Sequence, residues 1–421
     1  MNIKNATYVG GIIMLWLFFG CSTTDDPFPD QKEKEEEDEV LAISWPKPIQ
    51  PLHVEGRFLK DPCGNSVNLH GVAMTPSPWF NGGHVGEWRW NNYDVEGCLA
   101  YNKSVMDKLS AGDEDGWYLN YVRLHIDPYW SNTPGEPIPE NDISRFNFDR
   151  FVTAVDKVIV PLIEHAKSRG MYIILRPPGV CPHEIAVGDE YYDYLMTIWD
   201  HVSQHPDLKN TDHVMFELAN EPVHILGTNG EYGSDTPAHY EALQQFFQPI
   251  VDKIRDNGAG NILWIPGSGY QSHYRGFADY PIVGENIGYA VHLYPGYWGQ
   301  DLNDPTALRQ QWERNFKPVA DFAPIAVTEI DWAPEQYGVW GKGGITGTAN
   351  GWGFGANFKL LADETGNVSW NLLAPENLID RGDPEGGIAY DADPDACAKP
   401  VHQWFREYAE ELELCEGTAG E

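Results

Sequence analysis

Basic residues are scarce in this chain of 421 residues: 28 Lys and Arg stand against 63 Asp and Glu, for a formal net charge of −35. Such a surface repels a polyanion, so we expect no nucleic-acid partner. The charged fraction is only 22%, whereas the hydrophobic fraction is 42%. The chain can therefore bury a large core, which excludes a disordered polyelectrolyte.

Several motifs that would indicate other chemistry are missing. No CxxC pair occurs, which excludes zinc-ribbon and thioredoxin sites, and there is no GxxxxGK or GxSxG. His183-Glu184 lacks the second His of a zinc-protease helix. The acidic run at 391–395 resembles the start of a calcium loop, but Ala396 occupies the position that needs Gly.

The amino-terminal segment has the order of a secretory signal: Lys4, an apolar run at 8–19, then Gly20-Cys21. The run is too short to span a bilayer. Cys21 after a small residue resembles a bacterial lipobox, whose Cys is acylated and begins the mature chain. We therefore expect a signal peptide at 1–20 and a lipid on Cys21 that anchors an exported protein in the outer membrane or at the cell surface. A soluble secreted protein cut near this point is the alternative.

An acidic run follows Cys21, with nine acidic residues and two lysines between residues 22 and 39. Such a segment cannot offset the entropy of ordering, so residues 21–45 are predicted to form a flexible tether and 46–415 a single domain. Acidic residues behind a lipidated Cys also resemble the export tags of surface lipoproteins in some Gram-negative bacteria. The alternative is a spacer that carries no export signal.

Five cysteines remain after Cys21, and export makes disulfides possible. An odd number leaves at least one thiol unpaired or bonded between chains. Proximity in sequence favours Cys63 with Cys98, and Cys397 with Cys415.

Eight apolar runs alternate with segments of helical period. The runs lie at 67–74, 119–126, 172–176, 214–218, 262–266, 289–294, 325–330 and 368–372. Runs that are apolar throughout are typical of parallel strands buried on both faces. Helical spacing occurs at 148–166, ending at Gly170, and at 191–202, 239–254, 308–316 and 402–412. We therefore predict an α/β fold, a (β/α)8 TIM barrel with long βα loops, capped at its bottom by an N-terminal β-hairpin at 53–67.

Polar residues that close a barrel strand are the candidates for chemistry, because the active sites of such barrels form there. The fourth run ends in Asn220-Glu221-Pro222, and the seventh contains Glu329. Two facing carboxylates are what glycosidic cleavage needs, one to protonate the leaving oxygen and one to attack the anomeric carbon. Strands four and seven lie across the barrel mouth from each other. Because adjacent strand residues face opposite ways, we expect a bulge or twist to turn both Asn220 and Glu221 into the site.

This pattern resembles glycoside hydrolase family 5, the cellulase family of the retaining barrel clan. The resemblance spans roughly residues 50–412 and rests on Asn-Glu-Pro at strand four and Thr-Glu at strand seven. Further matches lie at strands two, six and eight, at Arg123, His292, Tyr294 and Trp370.

The resemblance implies a role for each matched residue. Glu221 would be the acid/base and Glu329 the nucleophile, while Asn220 would bind the hydroxyl next to the anomeric carbon. Arg123 and Tyr294 would hold Glu329 ionised and oriented. No metal or organic cofactor is needed for this chemistry, since the carboxylates suffice.

His292 would line the site beside the acid/base, and Trp370 would form the floor under the sugar at the cleavage point. The chain departs from the family pattern at strand three, where a His is usual. Here Arg176 ends the strand, and either Arg176 or the loop residue His183 could supply the missing donor, or neither does.

The remaining candidates are loop aromatics and one deeper acid. Trp79, Trp298 and Trp332 follow strands, where exposed rings stack on sugar faces, so they are possible subsite residues. Glu217 points to the same side as Glu221 but lies deeper, and is predicted to be an interior barrel residue rather than a catalyst.

These observations favour a monomeric, endo-acting, retaining glycoside hydrolase that cleaves β-1,4-glucan, with a β-linked polysaccharide as its partner. The same chemistry on mannan, xyloglucan or mixed-linkage glucan is one alternative, and an exo-β-glucosidase is another. A non-catalytic surface glycan-binding lipoprotein is the alternative from a different class.

Overall fold

The computed structural model describes residues 44–77, 94–113, 116–135, 139–294, 304–330, 353–373, 375, 378–379 and 398–415. Eight parallel strands in these ranges close into a barrel and follow one another around it in chain order. They are His70–Met74, Tyr121–His125, Tyr172–Arg176, Val214–Glu217, Leu263–Pro266, Ile287–Leu293, Ile325–Ile330 and Val368–Leu372. The predicted TIM barrel is confirmed, as is each of the eight predicted strands.

Helices cover the outside of the barrel, held by the apolar stripe that each presents to the strands. The described helices are Val95–Ser110, Pro128–Ser131, Phe148–Ala154, Val160–Ser168, Glu190–Val202, Pro237–Asp256, Pro305–Asn315, Lys317–Ala320, Phe354–Thr365 and Ala398–Glu411. Short side chains cap their starts: the Asp189 carboxylate, for example, accepts from the Tyr192 N–H at 2.7 Å. No helix within the described ranges is long and apolar enough to cross a bilayer.

The helical segment predicted at 148–166 contains one irregular turn. Val155–Ile159 is a π-helical turn between two α-helices, and Pro161 is the second residue of the helix that follows it. A proline has no N–H to donate and its ring crowds the preceding turn, so a wider turn relieves the clash. The segment ends as predicted, since Gly170 has a φ of 67° and its N–H donates to the Lys167 carbonyl at 3.1 Å.

The predicted hairpin consists of strands His53–Glu55 and Phe58–Lys60, which pair antiparallel. Leu59 and Val67 pack against barrel-interior residues that include Tyr121 and Tyr172. The hairpin therefore closes the amino-terminal end of the barrel.

Both predicted disulfide pairings are wrong. Cys63 is bonded to Cys415, with their Cα atoms 5.7 Å apart and 352 residues between them in sequence. Cys98 is buried in the core and is not bonded to Cys63. Cys397 lies outside the described residues. The pairing joins the hairpin to the segment after the last helix, which the closed barrel brings together.

A small three-stranded sheet lies in the loops that follow barrel strands three and four. Glu184–Ile185 pairs parallel with His224–Leu226, which pairs antiparallel with Tyr232–Gly233. It belongs to the carboxyl-terminal end of the barrel, where the candidate site lies.

Candidate active site

Arg123 is the centre of a buried network in the barrel interior. Its side chain is fully buried and donates to Glu217 in a bidentate pair, at 2.5 Å from Nε and 2.9 Å from Nη2. It also donates to Glu329 at 2.6 Å and to the Asn220 Oδ1 at 2.7 Å. Burial lowers the pKa of Arg123, but Glu217 and Glu329 outweigh this and raise it. Arg123 therefore joins strands two, four and seven as a permanent cation.

Glu217 is buried below the barrel mouth, as predicted. Besides the two bonds from Arg123, it accepts from the Thr328 hydroxyl at 3.0 Å and from the Gln271 amide at 3.1 Å. Four donors thus saturate a carboxylate that has no exposed surface. Glu217 supports the site from below.

An irregularity in strand seven turns Glu329 towards the barrel interior. The register shifts between Val327 and Ile330 on one side, and His292 is the Cα partner of Glu329 on the other. Thr328 and Glu329 both face the interior network as a result, although they are adjacent in sequence. Such a bulge re-aims a side chain at the rim of a barrel.

The carboxylate of Glu329 is held ionised. Tyr294 donates to it at 2.8 Å, and Arg123 donates to its other oxygen. Burial alone would raise the pKa of Glu329, but His292, Arg123 and the hydrogen bonds lower it from 4.5 to about 2. The group is therefore a permanently charged, oriented carboxylate at neutral pH.

Glu221 adopts a left-handed backbone conformation, with a φ of 56°. This conformation costs on the order of 1–3 kcal/mol in a residue other than glycine and is typical of functional sites. It is the twist that turns Glu221 as well as Asn220 into the site. The Glu221 side chain is 22% exposed, and one of its oxygens lies 2.9 Å from the His292 Nδ1.

His292 lies between the two glutamates. Its Nδ1 is 3.5 Å from Glu329 as well as 2.9 Å from Glu221. One ligand oxygen of each glutamate and a ring nitrogen of His292 lie within 4.8 Å of one another. The structure thus brings together Arg123, Asn220, Glu221, His292, Tyr294 and Glu329.

A cavity of about 340 Å³ opens above this network, and Asn220, Glu221 and Glu329 line it. Arg176 lines it at strand three and donates to the His125 ring at 3.1 Å, as well as to backbone carbonyls of Pro177 and Gly179. Burial, together with the charge of Arg123, lowers the pKa of Arg176. Of the two alternatives at strand three, Arg176 is therefore the residue on the cavity wall.

Comparison with known proteins identifies the group to which this site belongs. The family model described as cellulase (glycosyl hydrolase family 5) matches residues 87–336. The chain belongs to glycoside hydrolase family 5.

Two solved structures share this fold. A β-glucanase from Saccharophagus degradans covers 92% of this chain and 98% of its own, at 19% identity and a TM-score of 0.56. The endoglucanase catalytic domain from Thermobifida fusca covers 86% and 97%, at 18% identity and 0.51.

Curated relatives are closer in sequence. An endoglucanase from Bacillus sp. (strain KSM-635) is 31% identical over 299 residues, which make up 68% of this chain and 27% of that protein. A cellulase from Thermoanaerobacterium sp. is 30% identical over 254 residues, 59% of this chain and 53% of that protein. The chain thus spans between a quarter and about half of the length of these relatives.

Trp370 does not occupy the position that the family 5 resemblance implies. It is fully buried, with ring centroids 5.8 Å from Phe358 and 5.2 Å from Phe405, both on outer helices. Its neighbours Ser369 and Asn371 face the barrel interior instead, where Asn371 accepts from the Tyr121 hydroxyl. Since side chains alternate along a strand, Trp370 faces outward and cannot form a floor under a sugar.

The predicted subsite tryptophans Trp79, Trp298 and Trp332 lie outside the described residues, as does Cys21. Trp130, which also follows a strand, is fully buried and donates to the Pro76 carbonyl at 2.5 Å. It is a packing residue and offers no surface for stacking.

Three groups of donors within the described ranges are close enough to hold a metal ion. Asp61, Cys63 and Cys415 form one, but both sulfurs are in the disulfide. Glu221, His292 and Glu329 form the second, whose atoms hydrogen-bond within the site. His183, Glu184 and His224 form the third, in the small sheet and outside the cavity wall.

The sequence analysis missed Gln271, a fully buried residue that contacts both Glu217 and the backbone of Glu221. It follows strand five in the stretch Gly267-Ser-Gly-Tyr-Gln271. The two glycines just past a predicted strand were the available signal, because they indicate a tight, unusual turn at the active-site end of the barrel.

Proposed function

We propose that this chain is an endo-acting, retaining β-1,4-glucanase that works by double displacement. The observation that carries the proposal is the placement of Glu221 and Glu329 on either side of His292, with oxygens within 4.8 Å of one another. Retaining glycosidases keep their two carboxyl groups about 5–5.5 Å apart, whereas inverting enzymes leave about 6.5–9.5 Å for a water. The separation favours retention.

The environments of the two carboxylates support different roles. Glu329 is ionised and held by Arg123 and Tyr294, which suits a nucleophile that attacks the anomeric carbon. Glu221 lines the open cavity with a side chain that is 22% exposed, which suits a group that gives its proton to the leaving oxygen. In the second step the Glu221 carboxylate takes a proton from water, and the resulting hydroxide releases the sugar from Glu329.

Asn220 and Arg176 are the donors placed to bind the sugar. The Asn220 Oδ1 accepts from Arg123, which leaves its Nδ2 to donate to a hydroxyl next to the anomeric carbon. Arg176 lines the same cavity as a buried cation, at the strand end where the family usually has a histidine. We infer that this pair fixes the ring at the cleavage point.

The proposed substrate class follows from the relatives. Three relatives that match between 59% and 68% of this chain are named endoglucanases or cellulases. A panel of purified polysaccharides tests the assignment: cellulose, carboxymethylcellulose, mixed-linkage glucan, xyloglucan and mannan, with products sized by chromatography. We expect short cello-oligosaccharides from the first two. Glucose alone would indicate an exo-acting enzyme, and binding without cleavage would indicate a glycan-binding protein.

The stereochemistry has its own test. We expect the first product anomer to keep the β configuration, read by an NMR time course. The α anomer appearing first would reject double displacement.

We also propose a lipid anchor at Cys21 that places the enzyme at the outer membrane or cell surface, with 21–45 as its tether. The support is the order of charged, apolar and small residues in front of Cys21 and the acidic run behind it. Cys21→Ala should move active enzyme from the membrane fraction to the soluble fraction. Retention of the variant in membranes would reject the anchor.

A further inference from the structure

Barrel strand five ends in a left-handed turn. Gly269, Tyr270 and Gln271 have φ values of 60°, 56° and 54° in succession. Glycine adopts this conformation freely, but a side chain makes it unfavourable, so two such residues in a row need support from their surroundings. The contacts that this turn makes must therefore offset its conformational free energy.

The turn sends the Gln271 side chain into the barrel interior, where all its polar atoms are bonded. The Gln271 Oε1 accepts from the Glu221 backbone N–H at 2.7 Å. Its Nε2 donates to Glu217 at 3.1 Å and to the Ala290 carbonyl at 3.1 Å. One amide thus joins the backbone of strand four to strand six and to the buried carboxylate below the site.

The backbone of the turn contacts the segment just after Glu221. The Gly269 N–H donates to the Val223 carbonyl at 3.0 Å, and the Tyr270 N–H donates to the Pro222 carbonyl at 3.0 Å. Three hydrogen bonds between residues 269–271 and residues 221–223 therefore fix the chain just after strand four. Glu221, the first residue of this segment, is itself in the left-handed conformation.

We propose that Gln271 is a positioning residue for the acid/base: it holds the backbone of Glu221 in its left-handed conformation and so aims the carboxyl group at the leaving oxygen. This inference rests on the proposed function, because it takes Glu221 as the acid/base. Gln271 itself has no contact with the cavity.

Gln271→Met keeps the length of the side chain and removes its hydrogen bonds. Misplacing the acid/base slows the first step, glycosyl-enzyme formation, only when the leaving group needs a proton. We expect kcat on cellotetraose to fall about 10- to 100-fold, while glycosyl-enzyme formation from a 2,4-dinitrophenyl β-cellobioside changes less than about threefold. Equal losses on both substrates, or no loss, would overturn the proposal. Gln244→Met is the matched control, since it removes a single bond to Pro281 away from the site.

Gln271→Glu gives a second readout that a loss of packing would not produce. While protonated, the new carboxyl group still accepts from Glu221 and donates to Glu217; once ionised, it faces the Glu217 charge. We expect this variant to be most active at low pH and to lose kcat as the pH rises on an additional limb, at lower pH than the limb that deprotonation of Glu221 gives the wild type. A profile parallel to that of the wild type would contradict the proposal.

Amide hydrogen exchange at Glu221 tests the positioning without any substrate. We expect the Glu221 amide hydrogen to exchange at least about tenfold faster in Gln271→Met than in the wild type, and at an unchanged rate in Gln244→Met. Unchanged exchange in Gln271→Met overturns the inference. If the wild type hydrolyses no glycoside, the proposed function fails, while the exchange rate still decides whether Gln271 holds Glu221.

A separate observation concerns the small sheet. Glu184 and His224 are register partners on its parallel strands, and the His224 N–H donates to the His183 carbonyl at 3.0 Å. The two imidazole rings are perpendicular, with centroids 4.8 Å apart, and ligand atoms of all three residues lie within 4.8 Å of one another. The described structure shows no hydrogen bond or ion pair from any of the three side chains.

We propose that His183, Glu184 and His224 bind one divalent transition-metal ion. Two imidazoles and a carboxylate suit Zn²⁺, Cu²⁺ or Ni²⁺, whereas Ca²⁺ and Mg²⁺ prefer oxygen ligands. A bound ion would tie the loop after strand three to the loop after strand four, close to the chain that carries Glu221.

Calorimetric titration of the full chain with ZnCl₂ tests this site. We expect one equivalent to bind, His224→Ala to weaken binding by about 10- to 100-fold or more, and CaCl₂ not to compete. His205→Ala, which alters a histidine paired with Asp156, is the control and should bind as the wild type does. No binding, binding unchanged in His224→Ala, or binding lost in Glu329→Gln would each overturn the proposal.

Discussion

The two ends of the barrel interior are lined by the same strands but by opposite kinds of side chain. Tyr121 and Met215 belong to an apolar cluster at the amino-terminal end, closed off by the hairpin. Two residues further along the same two strands lie Arg123 and Glu217, fully buried and ionically paired. Side chains two residues apart face the same side of a strand, so a shift of two residues along these strands changes the interior side chains from apolar to charged.

This difference separates the amino-terminal or lower end of the barrel, which stabilises the fold, from the carboxyl-terminal or upper end, which holds the candidate active site. Burial of apolar area stabilises the lower end directly. Buried ion pairs contribute little net stability, because desolvation offsets their attraction. The charged upper end is therefore explained by its chemistry: Arg123 is anchored by Glu217 and offers its remaining donors to Glu329 and Asn220.

The largest effect is expected at the upper end. Glu329→Ala removes the carboxylate proposed to attack the anomeric carbon, so kcat should fall on the order of 10⁴-fold or more. No glycosyl-enzyme should be detected by mass spectrometry with any substrate. A variant that still accumulates this intermediate would remove Glu329 from the nucleophile role.

Glu221→Ala should separate substrates by their leaving groups. On cello-oligosaccharides we expect a loss of about 10²- to 10⁴-fold, whereas dinitrophenol leaves without a proton and the first step loses little. The second step lacks its base, so the intermediate should accumulate, and azide should restore turnover and give a β-glycosyl azide. If Glu329→Ala were rescued to the β-azide instead, the two roles would have to be exchanged.

Met215→Ala applies the complementary change to the lower end. It leaves a cavity beside Trp264, whose Nε1 lies 3.3 Å from the Met215 sulfur. We expect the free energy of unfolding to fall by about 2–5 kcal/mol, measured by urea denaturation, with kcat at 25 °C close to that of the wild type. A large loss of kcat in the folded variant would show that the two ends are coupled.

The smallest effect concerns acid stability. Burial alone would raise the pKa of Glu329, but His292, Arg123 and Tyr294 lower it from 4.5 to about 2. A carboxyl whose pKa is lower in the folded state contributes stability above about pH 4.5, and this is lost as the pH falls towards about 2. Between these values the free energy of unfolding should fall more steeply in the wild type than in Glu329→Gln. Parallel curves would mean that Glu329 has an ordinary pKa in the folded state.

The barrel and its two glutamates could be predicted because they follow from local pattern. Continuous apolar runs mark the strands, and an acidic residue that closes a run, such as Glu221 or Glu329, marks the site. Arg123 lies inside the second run and was implied only by the family 5 resemblance. The direction of Trp370 could not be read from the motif, because it depends on which face of strand eight turns inward. Gln271 was missed since it reaches the site through a left-handed turn, which residue spacing does not reveal.

The disulfide escaped prediction because distance along the chain says little about distance in space in a closed barrel. Cys63 and Cys415 come from opposite ends of the described chain. Only the closure of eight strands brings the hairpin beside the segment after the last helix.

The Cys63–Cys415 bond makes the backbone between the two residues a covalent ring. A protease that cuts one loop of this ring releases no fragment, because both pieces remain joined through the sulfurs. The nicked protein should migrate as a single species without reductant and as two with it. One cut within the ring therefore leaves every strand of the barrel covalently attached to the rest of the protein.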